Sequence, residues 1–563
     1  MGTLVGVRAS TAQWLLVCLL LVVAVLLRVI AIESESLWTD EALTVILANW
    51  SIGEMILKPT DPTPFLYYAL HKLLLPPDAP LAAMRSISVM AGVLSVALMY
   101  PLGRLAFGRW GGVLAMALLA VWSMHVDYSQ EARSYSLLFL FTLLTSVGLL
   151  YYADRVKSET EGTSGQAQRR IAALAMIGAG NVLSFYTHVV SVYWIALTSL
   201  LLFAIVIRRR DRLAEVCAVF VLMALCAVPG LYWLLQQMTI EHGFNWLQQR
   251  SFVSFLKLCL DVFLPSGLWE NSLTVTLGAI SIAKALVVAI CLAGLGAALW
   301  LGRQRLLAWG RERPYVILLI TAYFLVPVAM WLHGYAGQPM LIGRGMLYSV
   351  PGMILLITGL CLALGQRTAI VAGGVAFVLF ALSILLSGTI REREDWRGAY
   401  AFLSGVVAPG DLIALCPVYN YPALRYPATA SIGAPVITMV DGRLAEIEQS
   451  LGADRRWDQT YFRAVTVPQM TARLAHRSPS TDQDAAVKAI ALAAGLSIWR
   501  IDGHCNESAA MDRMLDLARY DSGALSFEDN TSHVAISIRQ FRVTEPTSVE
   551  VRSLVAPRAV ALD

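Results

Sequence analysis

The stretch AQWLLVCLLLVVAVLLRVIAI, residues 12–32, is an apolar run of 21 residues with one charged side chain, that of Arg28. A helix needs about 20 mostly apolar residues to cross the hydrocarbon core of a membrane. No small-residue cleavage site precedes the charged segment that begins at Glu33, so the run predicts a first transmembrane helix instead of a cleaved signal peptide. Because Arg28 lies near the end of the run, we expect its guanidinium to reach the lipid headgroups.

Apolar runs of similar length recur throughout the first 389 residues. The whole chain of 563 residues is 57% hydrophobic and only 15% charged, whereas soluble proteins average about 25% charged residues. We therefore predict a mainly α, polytopic membrane domain over residues 1–389. Its eleven predicted spans are 12–32, 82–103, 111–125, 135–153, 171–187, 190–207, 213–235, 284–301, 315–333, 346–364 and 369–389.

Lysine and arginine residues are unevenly distributed between the predicted loops. With the N-terminus inside, the short cytoplasmic segments carry sixteen of them, whereas outer segments of roughly twice that length carry about nine. This bias predicts a cytoplasmic N-terminus and outer loops at 33–81 and 236–283. The net charge of only +4 gives no indication of a nucleic-acid partner.

Each long outer loop contains an amphipathic stretch. LWTDEALTVILANW, residues 37–50, predicts a helix at the membrane interface, with Thr39 as its N-cap and an apolar face formed by Val45, Ile46 and Trp50. SFVSFLKLCLDVFL, residues 251–264, predicts a second interfacial helix.

Composition changes near residue 390, where we predict a soluble α/β domain over residues 390–563 on the outer side. REREDWRGAYAFLSGVVAPGDLIALCPV is typical of a helix, a turn and a strand, AAVKAIALAAGLSIWRI of a helix and a strand, and HVAISIRQFRV of a strand. This domain contains two cysteines, Cys416 and Cys505, and an oxidising compartment would permit them to pair.

Two adjacent carboxylates, Asp40 and Glu41, follow the first predicted span. One interpretation is structural, because acidic side chains in the first turn of a helix interact favourably with its dipole. The other is catalytic, because a partly desolvated carboxylate at the membrane surface can accept a proton from an acceptor hydroxyl.

Polar and ionisable residues also lie at the outer ends of other predicted helices. Arg85 and Arg344 can anchor in the headgroups or bind a phosphate group through two hydrogen bonds. Glu131 and Arg133 can form a structural pair or contact a substrate. Their convergence at the outer ends of several helices indicates a site for an anionic, lipid-borne substrate. The candidate substrate-binding residues are Asp61, Tyr67, Arg85, Gln130, Glu131, Arg133, His188 and Arg344.

Six motifs occur in the order SLWTDEALT, DPTPFLYY, RSISVMAGV, YSQEARSYSLLF, YTHVVSVYW and EDWRGAYAFLS. In this respect the chain resembles glycosyltransferases of the GT-C fold that use lipid-linked sugars, in the bacterial group similar to protein O-mannosyltransferases and lipid A aminoarabinose transferases. The resemblance implies an inner-membrane enzyme with a periplasmic active site and C-terminal domain. It would be a hexosyl- or pentosyltransferase whose partners are a polyprenyl-phosphate sugar donor, a glycan, lipid or protein acceptor, and membrane lipids.

The resemblance implies that Asp40 is the catalytic carboxylate, with Glu41 beside it. It also implies roles for Glu131 and Arg133 in the second polar turn, for His188, and for Arg344 near the donor phosphate. An Arg-Tyr-Ala sequence follows the Asp-Glu pair of the aminoarabinose transferases, whereas this chain continues as DEALTV. The substrate of that subgroup is therefore not carried over, and a divalent metal ion is left open.

A transporter or flippase of lipid-linked sugars is the alternative function. It would require polar residues at the bilayer midplane and symmetric halves. We expect the spans to be apolar at mid-depth and polar at one end, which favours the inverting transferase.

Overall fold

Contacts divide the chain into two units. The first comprises Met1–Ile32, Ser51–Leu75 and Ala82–Thr389, and the second comprises Glu33–Trp50, Pro76–Leu81 and Ile390–Asp563. The computed structural model describes residues 11–57, 63–76, 79–157, 164–207, 209–238, 247–265, 280–387, 394, 396–407, 412–416, 423, 436–440, 443–447, 497–502, 521–527 and 536–542.

The described part of the chain is mainly helical. In chain order the α-helices are α1 (Thr11–Val29), α2 (Thr39–Asn49), α3 (Ile52–Leu57), α4 (Leu66–Leu74), α5 (Leu81–Phe107), α6 (Arg109–Ala120), α7 (Ser123–Ser129), α8 (Tyr135–Lys157), α9 (Ser164–Thr187), α10 (Ser191–Val206), α11 (Leu213–Met238), α12 (Phe252–Phe263), α13 (Ile280–Glu312), α14 (Pro314–His333), α15 (Val350–Ala363), α16 (Gln366–Ser387) and α17 (Trp396–Val406). Short 3-10 helices span Arg210–Arg212 and Arg344–Ser349.

Each of the eleven predicted spans contains an α-helix among the described residues, which confirms a polytopic, mainly α architecture. Among the described residues, eight helices are long and apolar enough to cross a membrane. The predicted third span differs, because it is broken into α6 and α7, which meet at 63° and would together make a ninth crossing. Crossings by α9 and by α10, which has only 16 residues, stay predictions.

Helices α8 and α9 pack closely against each other in the first unit. A Cβ added to Gly180 would lie 2.8 Å from the Phe141 carbonyl oxygen and 2.9 Å from the Thr145 nitrogen. Only glycine at this position lets the two backbones approach so closely.

The spans are not apolar throughout, so that expectation is wrong within the first unit. Thr145 and Thr198 both donate a hydrogen bond to Asn181 Oδ1, at 3.2 and 3.3 Å, and all three side chains are buried. These residues lie within α8, α10 and α9, respectively.

The C-terminal region contains a six-stranded mixed sheet. Its strands are β1 (Leu412–Cys416), β2 (Val436–Val440), β3 (Arg443–Ile447), β4 (Ser497–Asp502), β5 (Asp521–Phe527) and β6 (Ile536–Arg542). They lie in the order β3-β2-β1-β4-β6-β5. β1 pairs in parallel with β2 and β4, whereas the other pairs are antiparallel.

The predicted helix and strands of this region are confirmed by α17, β1, β4 and β6. The turn predicted before β1 and the helix predicted before β4 lie outside the described residues. Cys416 is disulfide-bonded, and Cys505 also lies outside the described residues.

The two predicted interfacial helices form, but they differ in exposure. In α12, Phe252 and Val253 are exposed, whereas Phe255 and Phe263 are buried. The prediction for α2 is wrong in two respects. Its N-cap is Trp38 instead of Thr39, with no hydrogen bond from the Trp38 side chain, and most of the helix is buried, with no exposed polar face.

Candidate functional site

The carboxylate pair lies in the first turn of α2. Glu41 is fully buried, with 0% of its surface exposed, whereas Asp40 is partly exposed. Consecutive residues of an α-helix point about 100° apart, so the two carboxylates face different surroundings. Asp40 is therefore the more accessible carboxylate of the pair.

A hydrogen-bonded network connects Arg133 with α4 and α5 in the first unit. Arg133 Nη1 donates to Tyr68 Oη at 3.1 Å, and its Nη2 donates to Thr63 Oγ1 at 3.5 Å. Ser88 Oγ donates to the Arg133 carbonyl at 3.1 Å and shares a 2.7 Å hydrogen bond with Tyr67 Oη. This network holds Arg133, at 4% exposed, in one orientation and brings Tyr67 into the same group.

Arg344 and His188 both lie close to Tyr135. The Arg344 guanidinium carbon lies 5.9 Å from the centre of the Tyr135 ring, and the His188 ring centre lies 5.5 Å from it. Burial, followed by the positive charges of Arg133 and Arg344, lowers the pKa of His188 from 6.5 to about 3. His188 is therefore neutral at pH 7 and close to two guanidinium groups.

Glu131 shares the turn that carries Arg133. Its side chain is buried, and its carbonyl accepts a 2.7 Å hydrogen bond from the Arg133 backbone N–H. The turn therefore brings one acidic and one basic side chain to the beginning of α8. The candidate site residues predicted from the sequence did not include Tyr68, Ser88 and Tyr135, although all three lie within the quoted motifs.

Arg85 and Gln130 contact the backbone where α1 ends. Arg85 Nη1 donates to the Ile32 carbonyl at 2.6 Å, and Gln130 Nε2 donates to the Leu27 and Ile30 carbonyls at 3.2 and 2.9 Å. Both side chains thus support the chain as it leaves the first span.

Arg28 does not extend to the headgroups, so that expectation is wrong. Its side chain is fully buried, and it donates to the carbonyl oxygens of Leu119 and Ala120 at 3.4 and 3.3 Å. These carbonyls lie at the carboxyl end of α6, where the helix breaks. The last carbonyls of a helix lack their usual donors within the helix. Arg28 supplies a donor to Ala120 and a further one to Leu119, whose carbonyl also accepts from the Trp122 N–H at 3.3 Å.

Asp40 and Glu41 belong to the second unit, whereas Tyr67, Arg85 and the other described candidates belong to the first. Asp61 lies outside the described residues. Within the described ranges, no group of three or more His, Cys, Asp or Glu side chains is placed to hold a metal ion.

No family model matches the chain, and no curated protein matches it. Among solved structures, the chain is similar to ArnT from Cupriavidus metallidurans, in the apo state and bound to undecaprenyl phosphate. In both cases the identity is 14%, the TM-score is 0.41, and the match covers 94% of this chain and 98% of ArnT.

The chain is also similar to the archaeal oligosaccharyltransferase AglB from Archaeoglobus fulgidus in complex with an inhibitory peptide and a dolichol-phosphate. The identity is 11% and the TM-score 0.43, and the match covers 95% of this chain and 74% of AglB. Similarity at this level assigns neither a family nor residue roles, so we infer the function of this protein from its own residues.

Proposed function

We propose that this protein is a membrane glycosyltransferase that transfers a sugar from a polyprenyl-phosphate donor to an acceptor hydroxyl at the periplasmic face. The observation that carries the proposal is a pair of guanidinium groups near neutral His188, namely the buried Arg133 and the partly buried Arg344. Positive groups that lie close together favour the binding of an anion. A phosphate group is a suitable anion, because guanidinium groups bind it with paired, charge-assisted hydrogen bonds.

The phosphate becomes more negatively charged during the reaction, and the positively charged arginines favour this change. When the bond between the anomeric carbon and the phosphate oxygen breaks, its electron pair leaves with the polyprenyl phosphate. The phosphate then carries one more negative charge than it had in the donor. Arg133 and Arg344 would therefore stabilise the transition state more than the bound donor, which accelerates the reaction.

Asp40 would supply the other half of the reaction. Its carboxylate takes the proton of the acceptor hydroxyl, whose oxygen attacks the anomeric carbon from the face opposite to the leaving phosphate. The configuration of the sugar is thereby inverted. The partial exposure of Asp40 supports this role, whereas the enclosed Glu41 would act beside it without meeting the acceptor directly.

The bacterial inner membrane is the proposed location, with a cytoplasmic N-terminus and a periplasmic C-terminal domain. The uneven distribution of Lys and Arg supports this orientation. The disulfide at Cys416 also supports it, because structural disulfides persist in oxidising compartments such as the periplasm.

The proposal is tested with the purified full-length protein in nanodiscs, a panel of radiolabelled polyprenyl-phosphate sugars and a membrane extract as the source of acceptors. We expect transfer from at least one donor. Arg344→Met should weaken polyprenyl-phosphate binding by about tenfold or more, which corresponds to the loss of one charge-assisted contact. A wild-type protein that consumes none of the donors would contradict the transferase assignment.

Arg250→Met is the matched control for Arg344→Met. Arg250 is also a partly buried arginine of the first unit, but its Nε donates to the Leu341 carbonyl at 3.3 Å. We expect its substitution to leave polyprenyl-phosphate binding within about twofold of the wild type. Equal losses in the two variants would mean that Arg344 has no specific role at the phosphate.

One observation favours the alternative of a lipid-linked sugar transporter, namely the buried polar cluster of Thr145, Asn181 and Thr198. A transporter would use such groups within the membrane to accommodate a sugar. The same preparation, reconstituted in liposomes, separates the two functions. Movement of the labelled lipid across the bilayer without turnover, abolished by Asn181→Leu, would support transport.

A further inference from the structure

Glu394 caps the helix that carries Asp40. Its Oε2 accepts hydrogen bonds from the Thr39 backbone N–H at 3.0 Å, from Thr39 Oγ1 at 2.6 Å and from Trp396 Nε1 at 2.5 Å. The carboxylate is buried, with 3% of the residue exposed, and Thr39 lies 355 residues earlier in the chain. Because the Trp38 side chain makes no capping hydrogen bond, Glu394 supplies the side-chain acceptor that the first turn of α2 needs.

Arg397 holds the segment that leads into this helix. Its Nη2 donates to the Glu33 and Glu35 carbonyls at 2.7 and 3.4 Å, and its Nη1 donates to the Ser34 carbonyl at 3.4 Å. Its backbone N–H donates to Ser36 Oγ at 3.3 Å. One arginine thus binds three consecutive carbonyls and the next side chain. We call Glu394 and Arg397, with these contacts, the 394–397 clamp.

The clamp acts on a segment that has no regular structure of its own. Residues 33–38 lie in turns, bends and coil immediately before Thr39. Fixing the backbone of one residue costs about 1–2 kcal/mol of conformational entropy, so such a segment needs external contacts to hold one conformation. Asp40 comes directly after the capped residue, and its position depends on these contacts.

We propose that Glu394 and Arg397 are positioning residues for Asp40, and this inference rests on the proposed transferase function. They bind the 33–39 segment and set the direction in which α2 begins, whereas Asp40 contacts the acceptor hydroxyl and takes its proton. Catalysis is sensitive to such placement, since a displacement of about 1 Å at a reacting group costs roughly 100-fold in rate. The clamp thus connects the beginning of the C-terminal domain to the helix that carries Asp40.

Three variants of the full-length protein in nanodiscs test the clamp: Glu394→Ala, Glu394→Gln and Arg397→Met. Two readouts are needed. The first is amide hydrogen exchange over residues 33–42, which reports whether the segment and the first turn of α2 are held. The second is transfer kinetics, with kcat and the KM for the donor measured separately.

We expect Glu394→Ala and Arg397→Met to raise exchange over residues 33–42 by about tenfold and to lower kcat by roughly 10- to 100-fold. The KM for the donor should stay within about twofold, because neither residue contacts the phosphate in this account. Glu394→Gln retains an acceptor oxygen but loses the charge, so its effects should be intermediate. This milder variant also keeps the test decisive if Glu394→Ala does not fold.

The chain offers a matched control for each substitution. Glu54 Oε2 accepts hydrogen bonds from the Ser51 N–H and Oγ at 3.0 and 2.8 Å, which is the same type of cap at the start of α3. Arg313 Nη1 donates to the Leu105 and Ala106 carbonyls at 3.0 and 2.6 Å. Glu54→Ala and Arg313→Met should leave kcat and the exchange of residues 33–42 unchanged.

The two readouts distinguish the failure of this inference from the failure of the proposed function. Wild-type kcat in Glu394→Ala and Arg397→Met would overturn the positioning role. Reduced kcat with unchanged exchange would also overturn it, since these residues would then act on substrate. If the wild-type protein transfers no sugar, the proposed function fails, and unchanged exchange in the variants would still refute the clamp.

Discussion

Arg28 Nη2 donates a hydrogen bond to His125 Nδ1 at 2.7 Å, although Arg28 lies near the end of α1 and His125 lies in α7. The same guanidinium reaches Ser129 Oγ through Nε, at 3.3 Å, and the carbonyls at the end of α6. One buried side chain therefore connects three helices at the break between α6 and α7. The turn that carries Glu131 and Arg133 follows directly after α7.

We predict that Arg28→Met destabilises the protein by about 2–4 kcal/mol, because several buried carbonyl and side-chain acceptors lose their donor. Arg28→Lys should lie in between, since an ammonium group cannot reach all of these acceptors. Unfolding in detergent, followed by size-exclusion chromatography after heating, measures the effect. Arg313→Met is the control, because the Arg313 guanidinium also binds helix-terminal carbonyls but is partly exposed. Water can replace this guanidinium as the donor, so the substitution should lower stability by less than about 1 kcal/mol. Equal losses in Arg28→Met and Arg313→Met would contradict this account.

We predict that Gly180→Ala separates α8 from α9. The new Cβ would meet the Phe141 carbonyl and the Thr145 nitrogen, which are backbone atoms that cannot rotate away. Overpacking of this kind costs about 1–3 kcal/mol. Turnover should also fall, because Tyr135 begins α8 and His188 follows α9.

Gly374→Ala, in α16, is the control for that substitution. No other atom lies within 4 Å of a Cβ at this position, so alanine should be neutral or stabilise the helix by about 0.5–1 kcal/mol. Thermal unfolding and turnover of the two variants are compared side by side. If Gly180→Ala were as stable as Gly374→Ala, the close approach of α8 and α9 would be wrong.

Mild acid should destabilise the protein through two buried histidines. Burial lowers the pKa of His71 from 6.5 to about 4, and burial with Arg133 and Arg344 lowers that of His188 to about 3. Below pH 6.5 the unfolded chain takes up protons at these residues that the folded protein does not. Their contribution to stability is therefore fully present above pH 6.5 and is lost as the pH falls, by about 1.4 kcal/mol per pH unit and residue.

The apparent melting temperature of the wild-type protein should accordingly fall between pH 7.5 and pH 5.5. His71→Gln and His188→Gln should each reduce the fall, because the substituted side chain does not titrate. His333→Gln serves as the control, since this side chain is exposed. A fall of the same size in all three variants would show that neither buried histidine is responsible.

Apolar length predicts the helices well, because a long apolar run in a membrane can satisfy its backbone only as a helix. The span predicted at 213–235 is observed as Leu213–Met238. The break between α6 and α7 could not be predicted in this way, because the apolar run continues across it through Ala120, Val121 and Trp122. Alternation of residue types likewise predicts strands such as β6 but not their order in the sheet.

The sequence could predict which types of residue form the candidate site, but not which groups each side chain contacts. A guanidinium can bind either a phosphate or a backbone carbonyl, so the sequence could not distinguish Arg344 from Arg85, which donates to the Ile32 carbonyl. Glu394 begins the motif EDWRGAYAFLS, but its contact could not be predicted, since its partner Thr39 is 355 residues away. Only the folded chain reveals that the two residues meet.

The most direct test of the transferase account is the transfer rate of Asp40→Asn with the donor that the wild-type protein consumes, measured under single-turnover conditions. We expect the rate to fall by about 100- to 10,000-fold, the usual contribution of a general base, with polyprenyl-phosphate binding unchanged. Glu54→Gln, which removes a carboxylate that caps another helix, should transfer at the wild-type rate. A folded Asp40→Asn protein that transfers sugar within about threefold of the wild-type rate would contradict the assignment of Asp40 as the base.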